Sequence, residues 1–483
     1  MASIQGFGSA TNGRLAQELC SRPENGYDHE DGYDQDEAST PPPCSADEPL
    51  DVLSTCSGRI KQVVSARNHS LALTEDGEIW GWGSAARGLL GRVDQEHLQY
   101  DPDEEAEVFV NEPLEIHCLQ QDATTAAEHV IALACASHHS LALSDEGRVW
   151  AWGSAQHGRL GIKDVEPLES VPEEEGLQHK IQPIPTIVAG LGGKRIVQVA
   201  CASFHSLALT AEGTVWAWGS ARGGLLAIAD RSGLPTYPDD ENEAFQPTPT
   251  LVEGLRSTLV TQVACAEHHS LVLSREGEVW AWGRARYGRL GIVDVSELPS
   301  DPDDEFEVEQ PEPTIVDGLR DLRVTQIACA AHHSLALTAE GEVWAWGSAR
   351  YGLLAIEDVS DLPTDPDDDA EVYQPTPTVI EGLQGQRVVT VACGEHNGMA
   401  ITAEGALWAW GGADHGLLGT VDPEELCTDD GCAQLAWSTV LASHIRAHFH
   451  GAACVRACMG SHALSFHPVV ATARPHPRPY TLR

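Results

Sequence analysis

One motif recurs along this chain at intervals of 64 to 70 residues, and no other feature limits its fold as strongly. The clearest copy runs from Cys265 to Gly291. It holds Cys265, the pair His269-Ser270, an apolar stretch, a Glu276-Gly277 turn, Val279-Trp280-Ala281-Trp282-Gly283 and a closing Gly288-Arg289-Leu290-Gly291. The equivalents of Cys265 are Ser65, Cys135, Cys201, Cys329, Cys393 and Cys458, which makes seven copies. Twelve of the 13 Trp sit in six Trp-x-Trp pairs, beginning at Trp80, Trp150, Trp216, Trp280, Trp344 and Trp408. A fixed period in this range marks a solenoid or propeller and overrides the roughly three domains that length alone suggests.

Each copy predicts strands. Ser270-Leu271-Val272-Leu273 is apolar on both faces, as a strand buried on both sides requires. Glu276-Gly277 and Asp76-Gly77 read as two-residue hairpin turns. In the next strand Trp280 and Trp282 share one face, while Val279, Ala281 and Gly283 share the other. Large side chains toward one neighbour and small ones toward the other are what radially stacked sheets need to interlock. Two Trp per blade, at roughly 150–250 Å² each, make the contacts between blades the main source of stability.

The seventh copy has Cys458, His462 and Ala463-Leu464-Ser465-Phe466, but no Trp strand follows. Near the other end, Ile4-Gln5-Gly6-Phe7-Gly8-Ser9-Ala10 and then Gly13-Arg14-Leu15 match Val343–Ala349 and Gly352–Leu354. Residues 1–16 are therefore expected to complete the blade begun by residues 440–467, removing two sheet edges. The expected architecture is all-β: a seven-bladed β-propeller of four-stranded blades over residues 58–467, closed by strands from both termini. Residues 17–57, an acidic segment with Pro41-Pro42-Pro43, are expected to be mostly mobile. Residues 468–483 form a basic, proline-rich tail with Arg474, Arg478 and Arg483. With no charged n-region, no apolar h-region and no long apolar run, neither a signal peptide nor a membrane span is expected.

Acidic inserts lie between the inner strands of the blades. They include Asp101-Pro102-Asp103-Glu104-Glu105, Glu173-Glu174-Glu175, Asp239-Asp240-Glu241, Asp301-Pro302-Asp303-Asp304-Glu305 and Asp365-Pro366-Asp367-Asp368-Asp369. Most lead into a proline-spaced run such as Pro375-Thr376-Pro377-Thr378, which proline confines to the blade edge. With 73 acids against 29 bases the formal charge is −44. That sign excludes a nucleic-acid surface and disfavours anionic membranes. Basic proteins, divalent cations or a salt-rich environment suit it.

Cys135, Cys201, Cys265, Cys329, Cys393 and Cys458 hold one apolar strand position in different blades, too far apart to pair. They argue for a reducing, intracellular compartment, cytoplasmic or nuclear. Cys427 and Cys432 leave a disulfide or half a metal site open, without a second pair at ligand spacing. His69, His139, His205, His269, His333 and His462 are repeat-equivalent, and His138, His268, His332 and His396 form a second partial ring. They are expected to satisfy buried backbone groups between blades rather than to bind metal. There is no phosphate loop, nucleophile elbow or zinc-binding helix motif, and the acidic inserts lack the ligand pattern of a calcium loop. No enzyme activity and no cofactor are expected.

The pattern Val/Ile-x-Cys-Ala-x-x-His-Ser-x-Ala-Leu-Thr-x-x-Gly-x-Val-Trp-x-Trp-Gly, then Gly-x-Leu-Gly, resembles the repeat of the regulator of chromosome condensation family. The resemblance covers almost the whole chain and implies a seven-bladed propeller closed by both termini. Departures are local: Ser65 for Cys, Ala227 and Ala355 for the last Gly, and Asn397-Gly398 for His-Ser. Family members include an exchange factor for the GTPase Ran, signalling scaffolds, ubiquitin-ligase modules and the plant ultraviolet-B photoreceptor. The photoreceptor's sensing Trp lies two places before the repeat His; here those places hold Arg67, Ser137, Ser203, Glu267, Ala331 and Glu395. The chain therefore reads as a monomeric, non-catalytic interaction propeller. Its expected contact surface is Asp101, Asp103, Glu104, Asp239, Asp240, Asp301, Asp303, Asp304, Asp365, Asp367 and Asp368. The repeated His and Trp82, Trp152, Trp218, Trp282, Trp346 and Trp410 are assigned to structure. Guanine-nucleotide exchange on a small GTPase is the specific activity that the resemblance implies. An acidic scaffold for basic proteins and a cation-binding or salt-adapted propeller are the alternatives.

Overall fold

The computed structural model describes residues 56–412, except 92–98, 101–107, 117–127, 166, 173–177, 238–239, 302–303, 357 and 366–370, together with strand segments 5–9, 45–51 and 438–439. Each of the first six copies of the motif builds one antiparallel sheet. In the fourth, Val260–Cys265 pairs with His269–Ser274, which pairs with Val279–Arg284. The sheet continues outward through Asp304–Ile315 to a short strand, Ser300–Asp301. The described residues form six such blades, whose first strands begin at Ile60, Val130, Ile196, Val260, Val324 and Val388. The molecule is an all-β propeller.

Two expectations change here. Among the described residues there are six blade sheets rather than seven, and blades 1 to 4 have five strands where four were expected. The count differs because residues 440–467, assigned to the seventh blade, lie outside the described residues. The extra strand arises because the inserts are not loops throughout. Their far limbs extend the fourth strand, as in Asp240–Leu251, and their near limbs pair against it, Thr236 with Ala244 and Ser300 with Val308. Pro247 and Pro249 sit in the half of that strand beyond this pairing, where no outer neighbour needs their missing N–H.

Gln5–Ser9 pairs with Ser45–Asp51, a strand not expected within residues 17–57. The register is that of a third and fourth blade strand. Gln5 faces Asp51 and Gly6 faces Leu50; then, after a shift, Gly8 faces Ala46 and Ser9 faces Ser45. Likewise Trp344 faces Val379 and Ala345 faces Thr378, then Gly347 faces Gln374 and Ser348 faces Tyr373. Pairing with residues 440–467 lies outside the described residues, as do Cys427, Cys432, Cys454, Cys458 and His462.

The hairpins also differ from the sequence reading. Leu273 faces Val279, and the Ser274 amide donates to the Glu278 carbonyl, so Arg275, Glu276 and Gly277 make a three-residue loop with Gly277 at φ +94°. That is a type I turn closed by a left-handed residue, for which glycine is the ordinary choice.

Neighbouring blades interlock as the Trp pattern requires. Ala200, Leu207, Leu209, Val215 and Ala217 of blade 3 pack on Val263, Cys265, Val272 and Trp282 of blade 4. Trp152, Trp218, Trp282, Trp346 and Trp410 are fully buried, and each indole N–H donates to a carbonyl of the preceding blade: Leu89, Arg159, Leu225, Arg289 and Leu353, at 2.8 to 3.0 Å. Cys135, Cys201, Cys265, Cys329 and Cys393 are buried free thiols in these seams.

Four of the repeat histidines meet serines of the next blade, where the sequence suggested backbone groups. Nε2 of His69, His139, His205 and His269 meets Oγ of Ser140, Ser206, Ser270 and Ser334 on the next blade at 2.7 to 2.8 Å. Ser206 and Ser334 donate their own protons to the carbonyls of Arg159 and Arg289, so they accept from His139 and His269, which stand as neutral Nε2–H tautomers. For His333 the equivalent place is Gly398, where the ring of Trp410 occupies the space a Cβ would need. Backbone groups between blades are served instead by glutamines. Gln62, Gln198, Gln262 and Gln326 each donate to one carbonyl and accept from one amide, at Leu133, Val263, Ile327 and Val391. Among the described residues no helix is long and apolar enough to cross a membrane.

Candidate interaction face

Two sets of connections end on one face of the ring. The loop between the first and second strands is tied to the end of the third strand, where the amides of Ser84, Ser154, Ser220, Arg284, Ser348 and Gly412 donate to the carbonyls of Asn68, His138, Phe204, His268, His332 and His396 at 2.7 to 2.9 Å. The preceding glycine permits the approach. At Gly283, with φ +115°, a Cβ would lie 2.6 Å from the His268 carbonyl oxygen. The acidic inserts leave from the same strand ends.

After the third strand the chain makes a tight turn whose central residue is left-handed. Arg87, His157, Tyr287 and Tyr351 hold φ between +54° and +60°, and Gly223 takes the place in blade 3. These side chains reach the first loop of the next blade. Arg87 Nη1 lies 3.4 Å from His138 Nδ1, His157 meets the Phe204 ring edge-on at 5.9 Å, Tyr287 lies 6.4 Å from His332, and Tyr351 lies 6.0 Å from His396. Arg286 and Arg289 stack on Tyr287 at 5.0 and 5.2 Å, and Arg350 on Tyr351 at 4.9 Å. Within a strongly acidic chain, this inner ring is built from Arg, His and Tyr.

Carboxylates at the insert ends are drawn onto that ring. His157 Nδ1 is 3.0 Å from Glu243, Arg231 is 2.6 Å from Glu309, and Arg350 is 3.4 Å from Glu371. Asp365, assigned to the contact surface, is instead 3% exposed and takes both arms of the Arg286 fork at 2.7 and 2.8 Å, joining blade 5 to blade 4. This pairing raises the Arg286 pKa. Asp240 and Asp304 begin long fourth strands, and Asp301 pairs with Asp304 across a short strand. Asp101, Asp103, Glu104, Asp239, Asp303, Asp367 and Asp368 lie outside the described residues. Burial pushes His138 down to about 3, reinforced by Arg159 and Arg87, and brings His332 to about 4, reinforced by Arg289. Glu267 is pushed up by burial and by Glu395. Among the described residues no group of His, Cys, Asp or Glu is placed to hold a metal ion. Sequence reasoning missed Arg286, Arg231 and Glu309; the one available signal was an arginine at the same turn place in Arg222, Arg286 and Arg350.

The model of the RCC1-like domain matches residues 5–452. This chain belongs to the RCC1-like domain family. Among curated RCC1-like relatives, human "E3 ubiquitin-protein ligase HERC2" is 29% identical over 358 residues, 73% of this chain and 6% of its own length. Arabidopsis thaliana "Ultraviolet-B receptor UVR8" is 28% identical over 63% of this chain and 58% of its own. The mitochondrial "RCC1 domain-containing protein RUG3" of Arabidopsis thaliana is 30% identical over 74% and 66%. The RCC1-like chain thus spans less than two thirds of each of these relatives. Among solved structures, human WBSCR16 superposes with a TM-score of 0.62 at 22% identity, covering 87% of this chain and 91% of its own. Saccharomyces cerevisiae Prp20p gives 0.60 at 22%, covering 86% and 82%. At that identity the structural likeness speaks to the fold.

Proposed function

We propose that this RCC1-like propeller is a non-catalytic interaction module that receives a basic protein on the face bearing its acidic inserts, with a small GTPase as the leading partner. One observation carries the reading. The described ends of the inserts and the Arg/His/Tyr ring share one face, and bonds from blade to blade cross-link it. A preformed, charge-bearing surface favours specific association and fast, salt-sensitive encounter. The solved structure of Prp20p is described with its binding to Gsp1p and histones, which supports a protein ligand of this kind. The same reading makes residues 1–16 and 440–467 the two halves of a seventh blade, residues 17–57 its insert and residues 468–483 an appended tail. The matched register of Gln5–Ser9 with Ser45–Asp51 supports the closure.

The test is capture from native lysate at low and high salt, followed by nucleotide-release kinetics on any GTPase recovered. Retention of a GTPase at low salt, with faster release at catalytic amounts of the propeller, is the expected result. Stoichiometric binding of histones without release would assign an acidic scaffold instead. No basic protein recovered, with a melting temperature raised by calcium, would replace both with cation binding.

A further inference from the structure

An exposed hydroxyl residue recurs on the outer edge of blades 2 to 5. Ser170 faces Lys180, Thr236 faces Ala244, Ser300 faces Val308 and Thr364 faces Val372. The four places are equivalent, because the carbonyls of Lys180, Ala244, Val308 and Val372 each accept the amide of the alanine that follows the third strand of the same blade. Two residues before each hydroxyl, Leu168, Leu234, Leu298 and Leu362 pack on the core between blades, which fixes where the hydroxyl is presented. All four hydroxyl residues are exposed. Hydroxyls at other repeated places are bonded within the fold: Ser206 and Ser334 in the seams, Ser274 and Thr338 to turn amides, Thr314 and Thr378 to glutamines of their own strand. Those of the four edge residues have no hydrogen-bond partner among the described residues.

The sequence around them is as regular. Each is followed two places on by proline, and then by three acids: Glu173-Glu174-Glu175, Asp239-Asp240-Glu241, Asp303-Asp304-Glu305 and Asp367-Asp368-Asp369. No Lys or Arg stands in the three places before any of them, and none has proline directly after it. A kinase that reads bases ahead of its acceptor, or proline immediately behind it, finds nothing to read here. One whose substrate groove is lined with Arg and Lys finds three carboxylates, which those groups select by charge and geometry. Blade 1 supplies the contrast: the residue across from Val108 is Tyr100, a phenol, although Asp101-Pro102-Asp103-Glu104-Glu105 follows it.

We infer that Ser170, Thr236, Ser300 and Thr364 are phosphorylation sites for an acid-directed serine/threonine kinase. The acceptor oxygen attacks the γ-phosphorus of ATP as the bond to the ADP oxygen breaks, and the hydroxyl proton passes to the kinase's catalytic carboxylate. Each phosphate adds about 1.5–2 negative charges at pH 7. Its repulsion from the neighbouring carboxylates is screened, because the edge residue faces solvent. Added to the inserts, that charge strengthens attraction for a basic protein. This consequence alone rests on the partner reading, since phosphate incorporation is measured without a partner.

The folded full chain is incubated with an acid-directed serine/threonine kinase, Mg²⁺ and ATP, with a base-directed kinase as the control, and phosphate is located by tandem mass spectrometry. Phosphate is expected on the four edge residues, and not on Tyr100 or on seam hydroxyls such as Ser206. The combined change Asp303→Asn, Asp304→Asn and Glu305→Gln is expected to slow incorporation at Ser300 by about tenfold or more and to leave Thr364 unchanged. Phosphate on other residues instead, equal incorporation with both kinases, or a rate at Ser300 indifferent to the three amides would overturn the assignment. Incorporation at the four residues with no gain in capture of basic proteins would uphold the sites and overturn only the stated consequence.

Discussion

Ala227 and Ala355 hold φ of +56° and +51°, where Gly91, Gly161 and Gly291 hold +67° to +80° in other blades. A left-handed L-residue costs about 1–2 kcal/mol, and glycine returns about 0.5–1 kcal/mol of that through its greater freedom when unfolded. Ala355→Gly is therefore expected to stabilise the protein by about 0.5–1 kcal/mol, read from the urea midpoint at unchanged slope. The sequence showed this site openly, because alanine stood where the repeat has glycine. It did not show that Arg87, His157, Tyr287 and Tyr351 share the left-handed region, since nothing about those side chains marks it. Nor could it place Asp365. A carboxylate in an acidic run reads as solvated until the fold brings Arg286 to it from the neighbouring blade.

Between elements, the decisive bonds run in one direction, from the His of one blade to the Ser of the next. Ser206→Ala would leave the His139 Nε2–H without its acceptor in a fully buried seam, costing about 1–3 kcal/mol in denaturant unfolding. A loss below a few tenths would mean that the seam relaxes to supply another acceptor. The repeated His and Ser were plain in the sequence, but their partnership was not, because each bond joins consecutive copies rather than neighbours in one copy. The glutamine clamps were hidden for a related reason. Gln62, Gln198, Gln262 and Gln326 look like polar residues of an exposed strand face, yet each spans a seam. The five-stranded blades escaped notice because acidic, proline-bearing segments have low strand propensity, and only the blade edge makes them pair.

For the whole molecule, acid is the revealing condition. Burial holds His69 and His205 near 3 and His139 well below its ordinary value, whereas all three titrate near 6.5 when unfolded. Below that pH the unfolded chain binds protons that the native one refuses, so stability falls as pH falls, by about 1.4 kcal/mol per unit for each histidine. Protonating surface carboxylates relieves self-repulsion, but that occurs mainly near pH 4, so the histidines dominate between 6 and 5. The urea midpoint is expected to drop over that interval, and a flat profile would contradict neutral buried imidazoles. Deleting residues 1–16 is expected to lower the melting temperature or cause aggregation, and an unchanged monomer would refute the proposed closure. The periodicity made the propeller legible, but the blade count depended on joining two distant halves, which no local pattern enforces. The buried cysteines add a practical consequence. Burial raises the Cys135 and Cys329 thiols far above their ordinary range, and each lies in a different seam. In the folded ring these seam thiols are thus shielded from alkylating reagents, and each reacts only when its own seam parts. The order in which these cysteines acquire label is a clock, built into the chain, for how the propeller breathes.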